Sequence, residues 1–129
     1  MFSNLVFNST LDSRFRYFEL SQDFDELTKD ADLVLTTAST TSLEFLARGS
    51  CVGIACAVDN QKQYYKVLGA LGVAAQIGLR SPENTWAVDK QKIYSLLTSS
   101  RLRESLTRNA KDLIDFNGAK RIVDIITAL

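Results

Sequence analysis

The 129-residue chain contains no histidine. A soluble enzyme working near neutral pH most often recruits that side chain as general acid or base, because its unperturbed pKa lies there. Carboxylates can substitute only with strongly raised pKa values. Acid–base chemistry associated with this chain is therefore expected on another domain or another polypeptide. Cysteine is almost as scarce, with Cys51 and Cys56 the only two. They lie five residues apart in one apolar run. An odd offset along a strand points side chains to opposite faces, so no bridge forms within it. Without a CxxC pair or a histidine they make no metal site. Reduced core residues are expected, and no metal or cofactor is implied.

An excess of charge of one sign is also missing. Fifteen basic residues balance fifteen acidic ones, so no overall field favours nucleic acid or anionic lipid. No apolar run reaches membrane length, and MFSNLVFNST has neither the basic region nor the apolar core of a leader. The expectation is a cytoplasmic protein with no membrane span and no nucleic-acid partner. Repeats, linkers and low-complexity segments are absent. At 46% hydrophobic and 23% charged, the composition is that of one soluble globular domain, long enough for a single core.

What is present is an alternation of short apolar runs and amphipathic stretches. Asn4 to Phe7 and Phe15 to Leu20 read as strands, separated by the turn-forming NSTLDS. Ser21 or Asp23 caps a short helix from Phe24 to Lys29, ahead of a strand from Asp32 to Thr36. A helix from Thr41 to Ala47 stops at Gly49, where a C-terminal glycine belongs. Cys51 to Val58 is the most continuous apolar strand, and its Gly53 and Ala55 suggest close approach by a helix. Gln61 to Leu71 is a helix stopped by Gly72, and Val73 to Leu79 is a weaker strand. After the proline-containing turn Ser81-Pro82-Glu83-Asn84, the chain turns helical over Asp89 to Leu97, Ser100 to Phe116 and Ala119 to Leu129. In the last helix Ile122, Ile125, Ile126 and Leu129 fall on one face. Strand–helix alternation followed by helices predicts an α/β domain: a Rossmann-like parallel sheet flanked by helices, with C-terminal helices added.

In such sheets ligands bind beyond the carboxyl ends of the strands. Three polar loops qualify: Ser21–Asp23, Thr37–Thr41 and Asp59–Gln61. The middle one belongs to the most informative stretch of the chain. Thr36-Thr37-Ala38-Ser39-Thr40-Thr41-Ser42 places six hydroxyls directly before a helix. A helix N-terminus carries unpaired N–H groups and partial positive charge, which suit an anion. Ser and Thr there can donate to phosphate oxygens, and Glu44, one turn in, can accept from ribose hydroxyls. The same run also reads as a plain cap, with Thr41 and Glu44 matching the capping box S/T-x-x-E. The two readings are compatible. Asp59-Asn60-Gln61 is likewise a cap by statistics, and its value lies in naming the same sheet edge.

The stretch ADLVLTTASTTSLEFLARGSCVGIACAVDNQKQYYKVLGALGVA, followed late by IDFNGAKRIVDII, resembles the C-terminal half of GT-B-type proteins that bind UDP-sugars. The resemblance is strongest to the UDP-sugar hydrolases of pseudaminic acid biosynthesis and the spore-coat polysaccharide proteins. It is weaker to the N-acetylglucosaminyltransferase of peptidoglycan synthesis. It runs from about Phe15 to the C-terminus and rests on motif order and spacing. The resemblance implies that Thr40 and Thr41 face the diphosphate and that Glu44 grips the ribose. It further implies that Asn60 and Gln61 face the sugar-phosphate region and that the backbone around Phe18 to Leu20 holds the uracil edge. Two departures stand out. Ala38 and Ser39 occupy positions where relatives carry glycine, so Cβ atoms crowd an approaching pyrophosphate. Asp115-Phe116-Asn117-Gly118 is a shifted form of the closing D-G-x-G.

Members of that family are about twice this length, and in the hydrolases the other domain carries the histidine that activates water. The resemblance therefore implies one nucleotide-sugar-binding domain, residues 1–129, cut from a longer chain or working as a split subunit. Three functions follow. The first is the UDP-sugar-binding half of a hydrolase in bacterial nonulosonic (pseudaminic or sialic) acid or surface-polysaccharide synthesis, including a module fused to a CMP-sialic acid synthetase. The second is one half or subunit of a GT-B glycosyltransferase. The third is a non-catalytic assembly module using the final helix with Tyr64, Tyr65 and Trp86. None makes the isolated domain a catalyst, and an apolar face left by a missing half invites a homodimer.

Overall fold

A computed structural model describes residues 13–16, 18 and 24–129. After the short helix α1 (Phe24–Thr28), three strands pair side by side in chain order: β1 (Val34–Thr37), β2 (Val52–Cys56) and β3 (Ala75–Arg80). All three run parallel, with Val34 opposite Val52 and Gly53 opposite Ala75. Parallel neighbours need long return connections. α2 (Thr40–Ala47) makes the first, and a 3-10 turn (Asp59–Gln61) running into α3 (Lys62–Ala70) makes the second. A fourth strand, β4 (Trp86–Val88), adds antiparallel to β3. Then come α4 (Lys90–Thr98), α5 (Ser100–Leu113) and α6 (Gly118–Thr127). The fold is α/β: a mostly parallel open sheet with flanking and C-terminal helices. No helix among the described residues is long and apolar enough to cross a membrane.

Strands covered on both faces have no solvent side, which explains the near-continuous apolar run of β2. Val52 and Ile54 face one core with Phe45 and Leu46 of α2, Leu68 of α3 and Ala110 of α5. Cys51, Ala75 and Ile77 face the other with Leu96 of α4 and Leu106 of α5. Both cysteines are buried and free. The β2–β3 register slips by one residue between Ile54 and Ala55, so Ile54 pairs with Gln76 but Ala55 with Gly78.

Helix ends follow local chemistry. Gly49 and Gly72 take φ of +84° and +65°. Behind them Ser50 N–H reaches Phe45 O at 3.0 Å and Val73 N–H reaches Leu68 O at 3.2 Å, the six-to-one closure that a left-handed residue permits. Asp89 accepts from Lys92 N–H at 2.8 Å to cap α4, and Ser99 accepts from Leu102 N–H at 3.1 Å to cap α5.

Several expectations need correction. Phe15, Arg16 and Phe18 are not in a strand, while Tyr17, Glu19 and Leu20 lie outside the described residues, as do Asn4–Phe7 and Ser21–Asp23. Among the described residues nothing pairs with the outer edge of β1. α5 stops at Leu113 rather than Phe116. Ile114 turns extended, and Asp115 accepts from Asn117 N–H at 2.9 Å, a side-chain turn that replaces the helical bond. β4 was not foreseen, being too short to show a period. Nor does a helix explain Gly53: a Cβ there would lie 2.7 Å from Leu35 Cδ2 and 3.2 Å from Ile77 Cγ2, side chains of the two neighbouring strands.

Gly69 in α3 offers a sharper test. Alanine would add about 1 kcal/mol of helix propensity. Its Cβ, however, would lie 2.5 Å from Gln76 Cδ, whose Nε2 donates to Tyr65 O at 2.8 Å. Overpacking at such a site costs about 1–3 kcal/mol. Gly69→Ala should therefore lower stability by about 1 kcal/mol, read as a lower urea midpoint at unchanged slope. A raised midpoint would show that Gln76 moves aside freely.

Candidate functional site

β1 leads directly into α2. Ala38 N–H donates to Ala55 O at 2.8 Å, carrying the β1–β2 ladder one residue past the strand. Ser39 is the N-cap, but its side chain makes no capping bond. Ser42 is fully buried, and its hydroxyl donates back to Ser39 O at 2.6 Å. The capping box expected from Thr41 and Glu44 does not form, because the helix begins at Thr40 and both residues lie inside it. The hydroxyl run thus divides. Thr36 and Thr37 end the strand, Ser42 braces the turn, and Thr40 (exposed) and Thr41 (half-buried) stand in the first turn of α2. Glu44 lies exposed one turn on, at i+4 from Thr40 and i+3 from Thr41.

The neighbouring strand delivers the second loop. Because Thr37 pairs with Ala55, β2 ends beside β1 and releases Ala57–Gln61 at the same carboxyl edge. Gln61 Oε1 accepts from Ala57 N–H at 2.9 Å and ties this loop shut, leaving its amide NH2 as the group a ligand can use. Asn60 is exposed beside it. Asp59 and Lys62 pair at 2.8 Å. The hydrogen bond and charge of Lys62 hold the Asp59 carboxyl below its ordinary range, and Asp59 raises Lys62 in return.

Two grooves open on this side. One, of about 250 Å³, lies between the Ala57–Lys62 segment and the β3–β4 hairpin, and includes Lys62, Arg80, Ser81 and Asn84. Arg80 donates to Asn84 Oδ1, a neutral partner that leaves the guanidinium charge uncompensated. The other, of about 380 Å³, is lined by Leu43, Glu44 and Ala47 of α2, by Ile114 and Phe116, and by Arg121 of α6. Of the sequence-expected residues only Glu44 lines one of these two grooves; Thr40, Thr41, Asn60 and Gln61 line neither, although Asp59 and Lys62, on either side of the last two, border the smaller one. Phe18 is 53% exposed, and Leu20 lies outside the described residues. Arg80 was missed from the sequence. A cation closing an apolar strand just before a turn was the available signal.

A third groove, about 630 Å³, lies at the opposite, amino-terminal edge beside Asp32, Ser50, Cys51, Arg103, Arg108 and Lys111. Its chemistry is poor. Arg103 donates to the Leu96 and Leu97 carbonyls, closing the end of α4. Burial raises the Cys51 thiol above its usual pKa, Arg103 opposing only in part, which disfavours the thiolate. Among the described residues no cluster of His, Cys, Asp or Glu is arranged to hold a metal.

Asp115 borders the Glu44 groove and supplies a pH test. Arg121 Nη1 and Nη2 donate to its two oxygens at 3.0 and 2.9 Å. That pair, together with the Asn117 N–H, holds the carboxyl well below the usual range. A depressed folded pKa adds stability that is fully present above the unfolded value, about 3.9. The contribution fades as pH falls through the folded value. Carboxyl-carbon NMR should place the Asp115 midpoint below about 3.9; Arg121→Ala should bring it up, and a wild-type midpoint at or above that figure would contradict the bidentate pair. No protein-family model, curated protein or solved structure matches this chain.

Proposed function

We propose that the domain is the nucleotide-sugar-binding half of a GT-B-type protein of bacterial surface-polysaccharide or nonulosonic acid synthesis, working in the cytoplasm on a UDP-sugar. The supporting observation is the adjacency of β1 and β2 as parallel neighbours. It sends the Thr40–Thr41 turn and the Asn60–Gln61 turn off the same sheet edge. In this reading the Thr40 and Thr41 hydroxyls and the N-terminal amides of α2 meet the diphosphate. Glu44 accepts from the ribose hydroxyls. Asn60 and the Gln61 amide face the sugar phosphate, and the backbone around Phe18 and Leu20 borders the uracil. Ser39 favours this use of the turn, because its side chain makes no capping bond to the first turn of α2; of the amides there, Ser42 N–H is taken by Ser39 O.

With no histidine in the chain, water activation falls to another domain in the hydrolase reading. A transferase half is the second reading. Arg80 favours it, bordering one groove at the carboxyl edge with only a neutral hydrogen-bond partner and able to supply positive charge to a departing diphosphate.

Calorimetric titration with UDP, against CMP as control, tests the proposal. Saturable UDP binding is expected, with CMP weaker. Glu44→Ala should reduce affinity by about ten- to a hundredfold, the worth of hydrogen bonds to a charged group. No saturation by UDP in the millimolar range, with the domain folded, overturns the reading for this chain.

A further inference from the structure

α6 has no buried residue, and no other described element packs extensively along it. It is nonetheless strongly amphipathic. Ile122, Val123, Ile125, Ile126 and Leu129 are 56–101% exposed. Contiguous apolar surface of this kind marks an interface. Unlike the scattered exposed residues of α3, these lie in one repeating pattern.

We propose that α6 is a homodimer interface, packed antiparallel against α6 of a second copy about a twofold axis beside Asp124. Three observations select this occupant, and none rests on the nucleotide reading. The first is self-complementarity. Ala119, Ile122, Ile126 and Leu129 are spaced three, four and three apart, the a/d pattern of helices that pair along a seam. Antiparallel pairing about residue 124 sets Ile122 against the partner's Ile126, and small Ala119 against the partner's large Leu129. The second is charge. Lys120, Arg121 and Asp124 fall at b, c and f, away from the seam, while the flanking e and g positions are Val123 and Ile125. No like charges meet. Arg121 is already held by Asp115, and Lys120 by Asp124 at 2.7 Å. The third is area. At about 200 Å² for a fully exposed large apolar residue, the five side chains present roughly 700 Å² per copy, close to the roughly 800 Å² of one side of a standard interface.

Because α6 contributes nothing to either core, charged residues can be introduced there without unfolding the domain. Sedimentation equilibrium up to roughly 100 µM should give a weight-average mass approaching twice the 14.4 kDa of the chain. Ile122→Lys and Ile126→Glu should each be monomeric, with unchanged circular dichroism. Mixing the two should restore the dimer, since antiparallel pairing sets the new ammonium against the new carboxylate and leaves one Ile–Ile contact intact. A monomeric wild type overturns the proposal, as would be found if another segment or another protein covers the helix. So does a dimer that survives both substitutions. Failure of the mixture to associate rules out the antiparallel register and overturns it as well.

Discussion

Parallel strands cannot be joined by a tight turn, and much of this domain follows from that restriction. Each passage from β1 to β2 and from β2 to β3 must cross the sheet and return, so every departing loop leaves from one edge and every returning one arrives at the other. Helices fill the returns because the crossing chain must pair its own backbone groups over a buried surface. The Ala38–Ala55 hydrogen bond sets the height at which α2 begins. The sheet ladder thereby fixes where the polar turns stand.

Covering both faces creates two cores, and α5 is shared between them. Ala110 packs with α2 and α3, while Leu106, one turn earlier, packs with α4. Asn109 Nδ2 adds a bond to Gly72 O at 3.0 Å, reaching the end of α3. Ser99 ends α4 and caps α5, and Arg103 returns to the α4 carbonyls. α4 and α5 form a braced pair astride the sheet, and Ile114 is the last side chain of this run to pack on the first core. α6 begins beyond it, which is why its apolar face stays exposed among the described residues.

Legibility in the sequence tracked how local the deciding physics is. Gly49 and Gly72 as stops and the apolar run of β2 each rest on a few neighbouring residues, and each was readable. The Thr41–Glu44 capping box failed by a small shift: the helix starts at Thr40, and a motif matched by letters says nothing of where the first turn closes. Gly53 misled because its small size serves Leu35 and Ile77, side chains from strands distant in sequence. Arg80 carried only the weak signal of a cation ending an apolar strand, because its neighbour Lys62 arrives only through the β2–β3 pairing. The Thr40, Glu44 and Gln61 positions were readable as an edge. That Glu44 lines a groove without Thr40 or Gln61 was not, since it depends on where Ile114 and Phe116 return.

The slipped register between β2 and β3 constrains how this chain can vary in length. Ile54 pairs with Gln76 and Ala55 with Gly78, so β3 carries one residue more than its partner before reaching the carboxyl edge. Side chains alternate with a period of two, and a one-residue change inverts every position beyond it. Deleting the extra residue at the slip would straighten the ladder and leave Arg80 and the hairpin that presents Trp86 on the face they have now, whereas a single deletion elsewhere in β3 would invert what lies beyond it. Single-residue changes in length are therefore best absorbed at the slip itself or in the turn beyond Ser81.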